Sequence, residues 1–168
     1  MRRAFSLTVI ILTALLLQTT VFSQIQLLGA KPELIYVVAI LMAMLEGPSS
    51  GAVACFAGGM AQDFLQNAPK GITALTLTLL GYAIGMFRQY IVTPSPLLPV
   101  MLVAGGTAAG LLFHGVVSFL IGQLDTGWGN LFKTLLLASA YNALLTPVVY
   151  PVLRRVAESS RSTRVFRW

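Results

Sequence analysis

The chain has 168 residues, of which 57% are apolar and only 10% are charged, whereas an ordinary soluble domain carries about 25% charged residues. With a mean hydropathy of +0.83, this composition argues against a free cytosolic enzyme, a nucleic-acid-binding protein and a disordered chain, and it predicts an all-α polytopic membrane protein. The net charge is +6, and the single cysteine, Cys55, leaves no internal disulfide and no cysteine-based metal site.

The first apolar segment, at about 4–22, is long enough to span a bilayer, which takes about 20 apolar residues. Arg2 and Arg3 precede it and are expected to act as a positive anchor. A cleavable signal peptide is the alternative, because the residues at 21–23 loosely resemble a cleavage site.

The second and third segments, at about 32–46 and 49–65, are short and are separated by a Gly/Pro/Ser-rich break. The apolar run of the second, 34–45, reaches only about 18 Å at the helical rise, whereas the hydrocarbon core of a bilayer is about 30 Å thick. Either the flanking turns are drawn into the bundle, or the pair is partly re-entrant. We therefore expect the pair to pack against other helices rather than lipid.

Three longer segments follow, at about 71–91, 97–122 and 131–153, and Pro147 and Pro151 interrupt the last one. The six segments predict a single six-transmembrane-helix bundle over 1–153, followed by a basic cytoplasmic tail at 154–168. The simplest function of this tail is binding to anionic lipid, and the alternative is a docking site for a cytoplasmic partner.

The basic residues predict the orientation, because cytoplasmic loops of membrane proteins are rich in lysine and arginine. With six crossings and a cytoplasmic N-terminus, all eight arginines lie inside and the three lysines, Lys31, Lys70 and Lys133, lie outside. Both termini are then cytoplasmic. Arg88, Arg154 and Arg155 are predicted to anchor the inner membrane surface.

Small or polar residues recur at every fourth position along several segments, and such faces allow helices to approach closely in lipid. We expect these faces to point inward. The four faces comprise Gly47, Gly51, Cys55, Gly59 and Asp63; Gly106, Gly110, His114, Ser118 and Gly122; Thr73, Leu77, Gly81 and Gly85; and Asn142, Thr146 and Tyr150.

Asp63 is an acid in an apolar segment, and such residues usually face the protein interior and are often functional. The alternative is that it lies at the membrane boundary and caps the turn that follows. His114 is more simply explained as a hydrogen-bonded packing residue than as a ligand, because no second histidine exists in the sequence. Neither a nucleophile elbow, nor an HExxH motif, nor a Walker loop occurs, so no enzymatic activity, metal or cofactor is predicted.

The order of several short motifs resembles that of the bacterial rod shape-determining protein MreD family. The shared features are a Leu-Gln end of the first helix at Gln18, a Lys-Pro-x-Leu entry at Pro32, a Gly-rich helix that contains Gly59 and ends in Asp63-Phe64, a following Gly-Ile-x-Ala-Leu start at Gly71, and the late Asn142 and Pro147. The resemblance covers nearly the whole chain. The longer turn at 66–69 departs from the family pattern.

The resemblance implies a non-enzymatic scaffold in the bacterial inner membrane that supports peptidoglycan synthesis and cell shape. It also implies partners: an MreC-like bitopic membrane protein and, indirectly, an MreB-like actin homologue, a membrane glycosyltransferase and a class B transpeptidase. The fold it implies is that of the substrate-binding components of energy-coupling-factor vitamin transporters. As candidate interface or structural residues it indicates Gln18, Pro32, Gly59, Asp63, Gly71, Asn142 and Pro147, to which the small-residue faces add His114.

A vitamin-binding transporter component is the alternative function. Such a protein would contain a ligand pocket with converging polar groups near the middle of the membrane. It would also present an Ala-x-x-x-Ala face to a coupling subunit, and in this chain Ala39 and Ala43 have that spacing.

Overall fold

The computed structural model describes residues 2–20, 32–65, 71–90, 95, 97–122 and 128–161. The predictions for Lys31, Lys70, the loop around Asp125, and the tail beyond 161 lie outside the described residues. The described residues form six α-helices, named α1 to α6 in chain order, with a short 3-10 turn at Arg88–Tyr90 after the fourth. Their bounds are Arg2–Thr20, Leu34–Glu46, Pro48–Leu65, Ile72–Phe87, Leu98–Leu120 and Trp128–Arg161.

Helix α2 lies at the centre of the bundle and contacts each of the other five described α-helices. Its sequence is apolar on every side, which is typical of a helix that is enclosed all round. Every residue from Leu34 to Ala43 is buried. The expectation that the second segment packs against protein therefore agrees with the structure. For α3 it holds on one side only, because Val53 and Phe56 remain exposed.

Helices α3 and α4 approach each other almost backbone to backbone through their small-residue faces. A Cβ atom added to Gly59 would lie 2.5 Å from the Cα of Ala74, and one added to Gly85 would lie 2.5 Å from the Cα of Pro48. On its other flank α3 meets α2, where a Cβ on Gly51 would lie 2.6 Å from the Cα of Ala43. Only glycine fits at such distances, so these faces point inward as expected.

The small-residue face of α5 points inward over most of its length but not at its end. A Cβ on Gly106 would lie 2.9 Å from the Cδ1 of Ile40, and one on Gly110 would lie 2.6 Å from the Cε1 of Tyr36. Gly122, in contrast, is exposed and would meet nothing within 4 Å. The inward assignment is wrong for Gly122 because the helix has already ended at Leu120.

Helix α6 is longer than the predicted segment at both ends and continues through Pro147 and Pro151. Both prolines are exposed and lie four positions apart. The helical hydrogen bonds that are lost because proline has no N–H therefore lie on one outer face of the helix. Beyond them nothing in the sequence stops the helix. Leu153 and Ala157 are buried against the bundle, which extends the helix into the segment expected to be the tail.

The outer surface of α1 and of α3 to α6 carries many large apolar side chains, among them Leu144 at 75% exposed and Met101 at 72% exposed. So many exposed large apolar side chains are unusual for a soluble monomer. By length and composition, two helices of the described chain are suited to crossing a bilayer, at Leu98–Leu120 and Gly129–Glu158. The shorter α2 and α4 are also apolar.

Candidate functional site

The carboxylate of Asp63 caps the start of α4. It is only 1% exposed, and it accepts hydrogen bonds from three backbone N–H groups, those of Gly71 at 2.9 Å, Thr73 at 3.3 Å and Ala74 at 3.0 Å. The first turn of a helix leaves four such donors without intrahelical partners, and a negative charge at this end is also favoured by the helix dipole. Asp63 is therefore buried, as the first interpretation of the sequence predicted. It also caps the start of the next helix, as the alternative predicted.

The start of α2 is capped in the same way by side chains from two distant helices. Gln18 of α1 accepts a hydrogen bond from the N–H of Ile35 at 3.1 Å through its Oε1. Asn142 of α6 accepts one from the N–H of Glu33 at 3.1 Å through its Oδ1 and donates from Nδ2 to the Oγ1 of Thr107 at 3.1 Å. Asn142 is fully buried, so one amide joins α2, α5 and α6. We call Gln18, Asp63 and Asn142 the cap network.

These caps matter because α2 begins against the middle of another helix. Asn142 lies near the middle of α6, and its contact with Glu33 places the start of α2 beside that point rather than at the end of α6. A backbone donor at membrane depth has no water to bond, and leaving it unpaired costs several kcal/mol. The cap network supplies the missing acceptors from the protein itself.

The other residues of the family motifs shape the backbone around the cap network. Pro32 is buried immediately before α2, where a residue without an N–H adds no further donor. Gly71 precedes α4 with a positive φ of 101°, a conformation that favours glycine. Gly59 brings α3 against Ala74 of α4, one turn before the Asp63 carboxylate reaches the N–H of the same residue.

A polar cavity of about 50 Å³ lies between α2, α3, α4 and α5, next to the capped start of α4. Its wall is formed by Glu33, Tyr36, Gln62, Thr73, Leu111 and His114. Pockets for drug-sized ligands measure about 300–1,000 Å³, so this cavity suits a much smaller group than a vitamin.

His114 is half-buried on the wall of this cavity. The described residues contain no group of three or more His, Cys, Asp or Glu side chains placed to hold a metal ion. At this position its imidazole can contact a small polar group in the cavity.

Three arginines predicted as surface anchors occupy different environments. Arg88 donates from Nη1 to the carbonyl oxygen of Leu45 at 2.7 Å, so it binds the last turn of α2 and links it to the end of α4. Arg154 and Arg155 are exposed, and Arg154 pairs with Glu158 across 2.7 Å. For all three, anchoring to the membrane surface stays a prediction.

The sequence did not single out two residues of this region. Thr107 accepts the hydrogen bond of Asn142 and lies on α5 among apolar neighbours, where threonine gives no distinguishing signal. Gln62 is 3% exposed, and its Oε1 has no hydrogen-bond partner among the described residues. Its position could have identified it from the sequence, because an amide next to an acid is uncommon in an apolar segment.

Ala39 and Ala43, the pair that favoured the transporter alternative, are not on the surface. They are 6% and 0% exposed, respectively, and Ala43 packs against Gly51. This Ala-x-x-x-Ala face is therefore used within the bundle.

A comparison with known families gives one match, to the family model described as rod shape-determining protein MreD, over residues 1–156. No curated protein and no solved structure is significantly similar to the chain. The matched range contains the whole cap network and all six described α-helices except the last residues of α6.

Proposed function

Because the chain belongs to the MreD family and is thus a rod shape-determining membrane protein, we propose that it acts as a non-enzymatic scaffold of the cell-elongation machinery. The observation that carries this proposal is the family match over 1–156. The geometry is consistent with it, because the buried polar groups of the cap network bind backbone donors and so fix helix ends. Such groups hold a surface in shape rather than carry out chemistry.

The proposed direct partner is an MreC-like bitopic membrane protein. Through it the chain would act with an MreB-like actin homologue, a membrane glycosyltransferase and a class B transpeptidase, and would support peptidoglycan synthesis. A partner's membrane helix needs an apolar surface of fixed shape. The end of α3 offers one, because Phe64 and Leu65 are 70% and 56% exposed and follow the anchored Asp63 directly.

We propose that the chain lies in the bacterial inner membrane with both termini in the cytoplasm and six crossings. The arginine distribution supports this orientation, and the six described α-helices match the number of crossings. The end at which α1 and α3 finish and α2 and α4 begin then faces the cell wall. The family's proposed likeness to the substrate-binding components of energy-coupling-factor transporters would be a likeness of fold, since the cavity beside Gln62 is too small for a vitamin.

The test is complementation of a deletion strain of a rod-shaped bacterium, combined with co-purification in mild detergent. The parent chain should restore rod shape and recover the MreC-like partner. Phe64→Ala should reduce both, because large aromatic side chains are frequent anchors of interfaces.

Met101→Ala is the matched control, since Met101 is exposed to a similar extent, 72%, in the first turn of α5. This variant should behave like the parent. Failure of the parent chain to restore rod shape or to recover the partner would contradict the proposed function. If the two variants behave equally, only the proposal that Phe64 forms part of the partner-binding surface is contradicted.

A further inference from the structure

The fold buries the side chain of Gln62 without pairing all of its polar atoms among the described residues. Its side chain is 3% exposed, lines the polar cavity, and carries an Oε1 without a hydrogen-bond partner among the described residues. A buried acceptor left in this state is destabilising. The neighbouring Asp63 shows the contrast, because its two oxygens accept three backbone N–H groups. The Gln62 Oε1 can therefore accept a hydrogen bond from a small donor in the cavity.

The composition of the cavity wall indicates what kind of donor fits. Glu33 carries a carboxylate, and Tyr36 and Thr73 carry hydroxyl groups, so most of the wall residues have a side-chain oxygen. None of the described wall residues is a lysine or an arginine. Leu111 adds an apolar surface on α5. Such a wall favours a small cation that donates hydrogen bonds and carries a short apolar stem.

We propose that this cavity binds a primary ammonium group, held by the Glu33 carboxylate and the Gln62 amide oxygen. An ammonium group is compact and presents three donors. The volume of about 50 Å³ holds several water-sized atoms, which is enough for the charged group and one carbon. A free small amine and a lysine side chain of a membrane partner both carry such a group. The binding site itself does not depend on the proposed function.

The experiment uses the full chain purified in detergent, with methylammonium chloride as the probe and thermal unfolding as the readout. The titration is run at pH 8, where methylammonium remains protonated. Saturating methylammonium should raise the unfolding midpoint by about 2 °C. Sodium chloride and tetramethylammonium chloride at equal ionic strength should not, because neither ion donates a hydrogen bond. An equal rise with either salt would overturn the proposal.

Two variants locate the effect, and a third controls for it. Gln62→Leu removes the unpaired acceptor and Glu33→Gln removes the charge while keeping the shape, so both should abolish the methylammonium response. Ser139→Ala removes the other buried oxygen that lacks a partner among the described residues, on α6 and away from the cavity wall, and should respond like the parent. A response that persists in Gln62→Leu and Glu33→Gln would show that methylammonium acts at another place on the chain and would overturn the proposal.

A second experiment distinguishes the two sources of the ammonium group. Only this experiment rests on the proposed function. The titration is repeated on the complex co-purified with the MreC-like partner. If the ammonium group belongs to a partner lysine, the complex should no longer respond to methylammonium while the chain alone does. If it belongs to a free amine, both should respond equally.

Discussion

At the scale of single residues, three polar side chains inside this apolar bundle bind the ends of other helices. Asp63 supplies acceptors to α4, and Gln18 and Asn142 supply them to α2. The order of family motifs predicted that these residues matter. It could not show their task, because Asn142 and Glu33 are 109 positions apart and side-chain pairing at that separation leaves no periodic signal in one sequence.

Replacing Asp63 tests the cap directly. Asp63→Ala leaves the N–H groups of Gly71, Thr73 and Ala74 without their acceptor, and we expect the free energy of unfolding to fall by about 3 kcal/mol. Asp63→Asn keeps one oxygen and should lose about half as much. Thermal unfolding in detergent measures both, and rescue of rod shape should follow the same order.

Glu158→Ala provides the control for Asp63, since it removes an acid whose ion pair with Arg154 is exposed. Exposed ion pairs contribute little to stability, so this variant should unfold like the parent. If Asp63→Ala also unfolds like the parent, the carboxylate is not needed as a cap. If Asp63→Asn folds normally but fails to restore rod shape, the charge itself is needed for function.

At the scale of helices, the small-residue faces were the most informative part of the sequence. They predicted the inward sides of α3, α4 and most of α5, because close backbone contact in lipid requires small residues whatever the partner helix is. The shortness of the second segment likewise predicted the enclosure of α2. The extent of α6 was not predictable, since its continuation depends on burial of Leu153 and Ala157 against the bundle, which the sequence after two prolines does not indicate.

A single added methyl group tests the contact between α3 and α4. In Gly59→Ala the new Cβ would lie 2.5 Å from a backbone atom of Ala74, so the helices must move apart. We expect a loss of about 1–3 kcal/mol in the free energy of unfolding, together with a lower yield of folded protein in detergent.

Gly105→Ala is the matched control for this contact. Gly105 also lies within a helix, but its Cβ would meet nothing within 4 Å. Alanine favours the helix over glycine by about 1 kcal/mol, so this variant should be as stable as the parent or more so. Equal unfolding temperatures for the two variants would show that α3 and α4 do not pack as the structure has them.

At the scale of the whole molecule, the bundle combines a fully enclosed α2 with outer helices whose apolar faces are exposed. Composition alone predicted an all-helical membrane protein, and the shortness of the second segment predicted the enclosure of α2. The location of the polar cavity could not be predicted, because its wall is drawn from four helices whose relative rotation depends on packing. Orientation in the membrane is a separate matter, which rests on charge and not on packing.

The predicted orientation can be tested on α6, whose two ends must lie on opposite sides of the membrane if it spans. Gly129 and Glu158 are both exposed near its ends, and the native Cys55 is fully buried and hydrogen-bonded to Ala39, so it should not react. In intact spheroplasts an impermeant thiol reagent should label Gly129→Cys and leave Glu158→Cys unlabelled, because the arginines that follow Leu153 hold that end inside. Permeabilised cells should label both variants, which controls for access to the thiols. The opposite pattern would place the arginine-rich end outside and reverse the proposed topology, and labelling of both in intact spheroplasts would mean that α6 does not cross the membrane.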